Sequence, residues 1–191
     1  MIMDHSLVAE QFGVRLRPVR LEDAAFIVQL RNSQHAIGNV GDTGSAISAQ
    51  ELWLQHYFER IGDYYFIIEK ARTGEPLGTV GIYNIIGQQG ETGRWIIVPD
   101  SPAAAASSLL TWRIGFELLK LEHLLARIVE TNKPVLAFHK RIGNPYIGRF
   151  EDEQQIAGKS VAMIHFRATP AEWPAISKKL SHYARLAEKF L

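Results

Sequence analysis

The stretch that decides the fold reads ETGRWIIVPDSPAAAASSLLTWRIGFELLKLEHLLARIVETNKPVLAFHKRIG, from Glu91 to Gly143. Its apolar pattern changes twice from a short continuous run to helical spacing, which predicts a strand, a tight turn, a long helix, a second strand and a second helix. A strand that leads directly into a helix leaves unpaired backbone N–H groups at the helix start. Such a terminus is a candidate anion site.

The turn into the long helix carries this candidate site. Pro99 ends the strand, and Pro102 suits the first position of a helix. Asp100 or Ser101 is expected to cap that helix. The residues that follow are all small, which would let a diphosphate approach their backbone N–H groups, although an alanine run is also simply a good helix starter. They are Ala103, Ala104, Ala105, Ala106 and Ser107.

Composition narrows the class of protein. The chain has 191 residues, 47% of them hydrophobic, and a formal net charge of +1, so we expect one globular domain over 1–191. It contains no cysteine, and its histidines lack metal-motif spacing, so neither a disulfide nor a metal is expected. No apolar run reaches about 18 residues and no signal-peptide pattern is found, which predicts a cytoplasmic protein without a membrane partner. Balanced, scattered charges argue against nucleic-acid binding.

The rest of the chain is expected to form a mixed sheet with helices on its faces. Short turns make consecutive strands antiparallel, whereas the helical crossover makes the strand beginning at Glu91 parallel to the strand at 125–130. Ser48 and Glu51 form a capping box for the second helix. The other predicted elements are strands at 14–17, 64–69, 77–86, 146–151 and 159–166, a polar loop at 152–158, and helices at 21–32, 48–60, 102–119, 134–142 and 169–191.

This order, β-α-α-β-β-β-α-β-α-β-β, resembles the GNAT superfamily of acyl-CoA N-acyltransferases over Val14 to about Phe166. Four motifs in the same order carry the resemblance: LRPVRLEDA from Leu16, ETGRWI from Glu91, ARIVETN from Ala126 and FHKRIG from Phe138. The resemblance implies an α/β (α+β) fold with a mixed, mostly antiparallel, seven-stranded sheet flanked by helices. It also implies that the two parallel strands splay apart, and that the helix at 169–191 is an addition to the core at 14–166.

Within the superfamily, the chain is similar to bacterial nucleotide-aminosugar N-acetyltransferases of the pseudaminic-acid type, although N-terminal protein acetyltransferases share much of the pattern. The motifs are LRN from Leu30, IS from Ile47, YFII from Tyr65, LGTVGI from Leu77 and FHK from Phe138. The resemblance implies acetyl-CoA as co-substrate and a primary amine as acceptor, with the amine of a nucleotide-linked aminosugar such as a UDP-aminosugar favoured. A protein N-terminus or a small amine is the alternative acceptor. Because alanine replaces both glycines of the family's phosphate loop, a CoA-binding domain without turnover is a further alternative. The last helix would either pack on its own core or pair with a second copy in a homodimer.

The resemblance also implies roles for individual residues. Glu91 would be the base that receives the proton of the amine, or else a solvated turn glutamate. His139 would protonate the departing sulfur, or else pack its helix. Asn132 would bind pantetheine or cap the next helix, and a backbone N–H near Ile97 or Val98 would polarise the thioester carbonyl.

The acceptor and cofactor sites complete the set of candidates. Arg31 and Asn32 end the first helix and can grip a substrate, although solvated loop polarity is the commoner explanation. Tyr83 and Asn84 can line the acceptor pocket, or form ordinary cross-strand contacts. Phe138, the residues of the alanine-rich turn and the residues near the thioester are the expected cofactor contacts.

Overall fold

Eight strands form a single sheet in the residues that the computed structural model describes, 5–39, 44–156 and 158–191. In chain order they are β1 (Ala9–Gln11), β2 (Val14–Pro18), β3 (Tyr64–Lys70), β4 (Pro76–Ile86), β5 (Gln89–Ile97), β6 (His123–Val129), β7 (Tyr146–Ile156) and β8 (Lys159–Ala168). Across the sheet they lie in the order β1-β2-β3-β4-β5-β6-β8-β7. Neighbours are antiparallel except β5 and β6, which are parallel. The mixed, mostly antiparallel sheet is thereby confirmed.

The two edges of the sheet differ from the expectation. The sheet has eight strands, one more than the seven expected, and the additional strand is β1. Its three residues are polar or small, so they lack the apolar alternation that predicts a strand, and they pair with β2. At the other edge, residues 152–156 were expected in a loop but belong to β7. Gln155 lies opposite Ser160 and its amide donates to that hydroxyl at 2.6 Å, so cross-strand hydrogen bonds extend the hairpin. Of the expected loop, residue 157 lies outside the described residues.

Five α-helices flank the sheet in the described part of the chain. A 3₁₀ turn at Leu21–Asp23 leads into the first helix, and the third continues as a π-helical turn at Ile114–Leu118. The helices are α1 (Ala24–Arg31), α2 (Ile47–Tyr57), α3 (Ala104–Arg113), α4 (Lys133–Ile142) and α5 (Trp173–Glu188).

The predicted caps of two helices are wrong, and α5 begins at Trp173, four residues after its predicted start at 169. α3 begins at Ala104 with Ala103 as its N-cap, because Asp100 and Ser101 are used in a turn. In that turn Asp100 has a φ of 62° and the Ser101 N–H donates to the Val98 carbonyl. α2 begins at Ile47 without a side-chain cap, so Ser48 already lies inside the helix and the expected capping box is absent.

Different helices cover the two faces of the sheet. Tyr65 and Ile67 of β3 pack with α1 and α2, on what we call the first face. Phe66 and Ile68 point the other way and pack with α3 and α5, on the second face. α4 covers β6 on that second face, where Leu136 packs in the same cluster as β6 residues. Any group that passes between β5 and β6 therefore moves from α1 and α2 toward α3 and α4.

A buried ion network fixes the start of α1 on the first face. Arg17 of β2 donates to both Asp23 carboxylate oxygens at 2.8 Å and to Glu69 of β3 at 2.8 Å. Asp23 also accepts from the Arg20 backbone N–H at 2.7 Å, which caps the turn before α1. The hydrogen bond with Asp23 raises the pKa of Arg17, so the guanidinium stays charged.

Candidate active site

The parallel pair β5 and β6 separates partway along its length. The two strands pair from Gln89 and His123 as far as Thr92 and Ala126, and no later pair joins them among the described residues. The register between β4 and β5 shifts at this point, because Gly81 faces Gly93 whereas Thr79 faces Ile96. The extra residue of β5 forms a β-bulge, which bends a strand and ends its pairing. The splay implied by the resemblance is therefore present.

The bulge is centred on Arg94. Its φ is 51°, in the left-handed region that side chains other than glycine rarely adopt. The Thr79 hydroxyl donates to the Arg94 carbonyl at 2.7 Å and holds this conformation. The backbone thus turns β5 away from β6 and directs the Arg94 side chain onto the first face.

A cavity of about 740 Å³ lies at the splay and is walled by both faces of the sheet. Arg31, Gln50 and Trp53 belong to the helices of the first face, and Thr111 and His139 to those of the second. The cavity therefore passes through the opening between β5 and β6. Other residues of its wall are Tyr65, Tyr83, Glu91, Arg94, Trp95, Ser108, Trp112, Arg127, Asn132 and Met163.

Glu91 lies where the two strands begin to separate. It faces Tyr83 across β4 and β5, and is 6% exposed. Its carboxylate accepts from the Tyr83 hydroxyl at 3.1 Å, from the Asn84 amide at 3.1 Å and from the Arg127 guanidinium at 2.7 Å. Burial raises the pKa of Tyr83, and the charge of Glu91 adds to this, so the phenol remains protonated as a donor. An incoming amine must share this carboxylate with three donors.

Guanidinium groups dominate the charge of the cavity wall. Arg94 pairs through both terminal nitrogens with Asp63, and its guanidinium lies 4.3 Å from the centre of the Tyr83 ring. Burial lowers the pKa of Arg31, and the nearby charge of Arg94 acts in the same direction. Three arginines, Arg31, Arg94 and Arg127, stand against the single carboxylate of Glu91 among the described residues of the wall.

His139 lies on the second face, at the opposite side of the opening from Glu91. It is 6% exposed, and its Nδ1 is 2.8 Å from the Asn144 amide nitrogen. Burial lowers the pKa of His139 to about 4, so the imidazole is neutral at physiological pH. A neutral ring can donate a hydrogen bond but is a weak acid, which favours a hydrogen-bond donor over the expected proton donor.

The alanine-rich turn has a different environment from the one expected. The side chains of Ala103, Ala105 and Ala106 pack in the core with at most 7% exposure, and none of them lines the cavity. The Ser107 N–H donates to the Ala103 carbonyl at 2.9 Å, so it is not an anion donor as proposed from the sequence. The first-turn N–H groups of Ala104 to Ala106 have no partner within their own helix and can therefore still donate to an anion.

Of the two candidate donors to the thioester carbonyl, one is excluded. The Val98 N–H donates to the Leu77 carbonyl of β4 at 2.8 Å. Because residues alternate along an antiparallel ladder, the polar groups of Ile97 point away from β4 and toward the splay. The Ile97 carbonyl indeed accepts from the His35 ring at 2.9 Å. The Ile97 N–H is therefore the remaining candidate.

The other predicted residues separate into two groups. Arg31, Tyr83 and Asn132 reach the cavity, and Asn132 also caps α4 because its Oδ1 accepts from the Val135 N–H at 3.4 Å. The remaining three do not form the cavity wall. Asn32 is exposed and donates to the Val28 carbonyl at 2.9 Å as a helix C-cap, the Asn84 amide donates to Glu91 at 3.1 Å, and Phe138 packs against Trp95 with ring centres 5.0 Å apart.

Sequence reasoning missed Arg94, Arg127, Trp53, Trp95 and Asn144. Arg127 had a detectable signal, since an arginine between the apolar Ala126 and Ile128 must project from the opposite face of its strand. No sequence signal pointed to Arg94, because its position depends on a β-bulge that the neighbouring residues do not predict. Within the described residues, no helix has the length and hydropathy to cross a bilayer, and no three metal-ligating side chains come together.

The comparisons with known proteins agree with this geometry. A family model described as acetyltransferase (GNAT) domain matches residues 14–144. A search of curated protein sequences gives no match. Among solved structures, apo FdhC, a nucleotide-linked sugar GNAT, is 26% identical with a TM-score of 0.76, over 95% of this chain and 98% of that chain.

Two more distant structures show the fold alone. A GCN5-related N-acetyltransferase from Brucella melitensis is 18% identical, with a TM-score of 0.81 over 95% of this chain and 87% of that chain. A variant of the spermidine N-acetyltransferase SpeG from Vibrio cholerae is 17% identical, with a TM-score of 0.74 over 85% of this chain and 97% of that chain.

Proposed function

The chain belongs to the acetyltransferase (GNAT) domain family, and from that premise we propose that it acetylates the primary amine of a nucleotide-linked aminosugar. Acetyl-CoA is the co-substrate of this family. The observation that carries the choice of acceptor is the charge of the cavity wall, where three arginines, Arg31, Arg94 and Arg127, stand against the carboxylates of Glu91 and of Asp63, which pairs with Arg94, among the described residues.

An acceptor with negative charge suits this wall better than a polycation. Arg31 and Arg94 are close enough for their charges to repel, and burial also disfavours the charged form of Arg31. A diphosphate beside Arg31 would offset both effects, since arginine binds phosphate oxygens through paired N–H donors, whereas both terminal nitrogens of Arg94 are already bound to Asp63. Spermidine, which is positively charged, would be repelled. The 26% identity to a nucleotide-linked sugar GNAT supports the same choice.

In the proposed reaction the amine attacks the thioester carbonyl directly. The acceptor amine approaches from the first face, where Glu91 receives the ammonium proton, directly or through a water molecule. The new C–N bond forms as the C–S bond breaks, and the Ile97 N–H stabilises the negative charge on the carbonyl oxygen. The second proton of the nitrogen neutralises the sulfur. His139, on the second face, donates a hydrogen bond to that sulfur as it departs.

The cofactor would extend along the second face. Asn132 lies at the opening and the first turn of α3 supplies backbone donors to the diphosphate. The missing glycines do not prevent this, because a helix N-terminus has ordinary negative φ angles and Ala103 has a φ of −73°. Thioester chemistry is what acetyl-CoA supplies, while the residues of the chain orient the amine and handle its protons.

Thiol release from acetyl-CoA, measured with a panel of acceptors, tests the proposal. We expect turnover with nucleotide-linked aminosugars and little with spermidine or peptides. Turnover only on peptides or polyamines would refute the aminosugar assignment. Tight CoA binding without any productive acceptor would indicate a CoA-binding domain instead.

The variant Glu91→Gln tests the role of the carboxylate. It should reduce kcat by roughly 10²- to 10⁴-fold at neutral pH, the usual range for a lost acid–base group, with little change in CoA binding. Glu130→Gln is the matched control, since Glu130 pairs with Arg149 near the edge of the sheet and should keep the wild-type rate. An unchanged rate in Glu91→Gln would remove Glu91 from the mechanism.

A further inference from the structure

The C-terminal end of α4 brings a second side chain back over the imidazole of His139. Gly143 follows the helix with a φ of 84°, a left-handed conformation that favours glycine. The next N–H, that of Asn144, donates to the His139 carbonyl at 3.0 Å, as in a Schellman motif. The backbone therefore fixes where the Asn144 side chain can reach. It lies against His139, five residues earlier in the chain.

The contact between the two side chains decides which ring nitrogen carries the proton. The Asn144 Nδ2 is 2.8 Å from the His139 Nδ1, in a position where both residues are buried. With the amide in this orientation its nitrogen can only donate, so Nδ1 accepts, and the single proton of the neutral ring is then expected on Nε2.

The packing around the ring keeps it neutral and fixes its plane. His139 stacks on Phe166 of β8 with ring centres 5.3 Å apart, and also contacts Trp112 of α3 and Phe138 of its own helix. None of these groups is charged. Burial alone lowers the pKa of His139 to about 4, with no contribution from a neighbouring charge. The ring therefore does not titrate between pH 5 and 8.

The two edges of the ring face different environments. His139 forms part of the cavity wall, whereas Asn144 does not and is 5% exposed. The Nδ1 edge thus points away from the cavity and the Nε2 edge points toward it. A ring with this orientation offers the cavity an N–H donor.

We propose that Asn144 is a positioning residue that holds His139 in the tautomer protonated at Nε2, so that the ring presents a hydrogen-bond donor to the departing sulfur. The part of this proposal that concerns the sulfur rests on the proposed function. The part that concerns the tautomer does not, and it can be measured without turnover.

Nitrogen NMR of the ¹⁵N-histidine-labelled protein tests the tautomer directly. The signals of His139 are assigned by their loss in His139→Gln. We expect an unprotonated Nδ1 and a protonated Nε2 that do not change between pH 5.5 and 8. In Asn144→Asp the carboxylate can only accept, so Nδ1 should become protonated. A wild-type ring protonated at Nδ1, or an Nδ1 that stays unprotonated in Asn144→Asp, would overturn the proposal.

Turnover distinguishes positioning from a merely structural role. Asn144→Asp should lower kcat on the order of 10²-fold, as when one donor to a developing negative charge is lost, while the KM for acetyl-CoA stays close to wild type. Ile142→Val is the matched control, because Ile142 is buried on the same helix and carries no group that can hydrogen-bond the ring; it should keep both the tautomer and kcat. A reversed tautomer with unchanged kcat would refute the role toward sulfur. A wild type without thiol release, but with the expected tautomer, would refute the proposed function and leave the assignment of Asn144 standing.

Discussion

Replacing Gly93 with alanine should test whether the Tyr83 hydroxyl occupies the space that a side chain at position 93 would need. A Cβ atom at Gly93 would lie 2.1 Å from the Tyr83 hydroxyl oxygen and 3.0 Å from the ring carbon that bears it. Ordinary contact begins at 3.4 Å, so the hydroxyl would have to move by more than 1 Å. That movement breaks its hydrogen bond to Glu91 and shifts the ring beneath Arg94.

The expected loss of stability is the sum of the steric clash and the broken hydrogen bond. Overpacking costs about 1–3 kcal/mol and a hydrogen bond to a charged group about 1.5–3 kcal/mol, so Gly93→Ala should lower the free energy of unfolding by roughly 3–5 kcal/mol. Tyr83→Phe alone removes the hydrogen bond and should cost about 1.5–3 kcal/mol. In the double variant the closest atom is the ring carbon, which needs to move only a few tenths of an ångström.

Urea denaturation of the wild type, both single variants and the double variant measures the coupling between the two sites. The double variant should be more stable than the sum of the single effects predicts, by about 3 kcal/mol, because that sum counts the lost hydrogen bond twice and includes a clash that the double variant avoids. Gly78→Ala is the control, because its Cβ would meet the Ile96 carbonyl oxygen at 2.3 Å, and Tyr83→Phe cannot relieve a backbone clash. Additive costs for Gly93→Ala and Tyr83→Phe would refute the reasoning.

Three further outcomes are expected. Because burial lowers the pKa of His139 to about 4 while an unfolded histidine titrates near 6.5, the unfolded state binds more protons between these values. The free energy of unfolding should therefore decrease as the pH falls from about 6.5 to 4, by about 3 kcal/mol more in the wild type than in His139→Gln. Urea denaturation at several pH values measures this, and the same pH dependence in both proteins would contradict it. Asp23→Ala should cost about 3–5 kcal/mol in urea denaturation, since it removes two acceptors of the largely buried Arg17 and the acceptor of the Arg20 N–H. The exposed neighbour Glu22→Ala should change stability by less than about 0.5 kcal/mol, and similar losses in the two variants would argue against the ion network. Arg31→Ala should raise the KM for a nucleotide-linked aminosugar about tenfold or more, because it removes a charged hydrogen bond to the acceptor, while the KM for acetyl-CoA should not change. An unchanged acceptor KM in steady-state kinetics would remove Arg31 from the acceptor site.

The sequence was informative where apolar periodicity is strong. The order of the long strands and helices, the crossover that makes β5 and β6 parallel, and the N-cap at Asn132 all follow from spacing and capping rules, and the structure confirms them. Periodicity was silent for β1, which is short and polar. It also misplaced the start of α3, because Asp100 and Ser101 suit a turn as well as a cap.

The candidate site was harder to predict than the fold, since its chemistry depends on contacts between distant strands. Glu91 was singled out by its position at the start of β5, but its partner Arg127 is 36 residues later and enters only through the parallel register. The partnership of His139 with Asn144 depends on a left-handed residue at Gly143 that reverses the chain. Packing, and not a motif, makes that histidine neutral.

A cavity walled by both faces of the sheet also has a kinetic consequence. Two molecules that arrive from opposite sides do not need to pass one another, so neither has to leave before the other enters. Both substrates should therefore be present together when the acyl group moves, in either order of arrival. Initial rates measured at several fixed concentrations of one substrate should give intersecting, and not parallel, double-reciprocal lines.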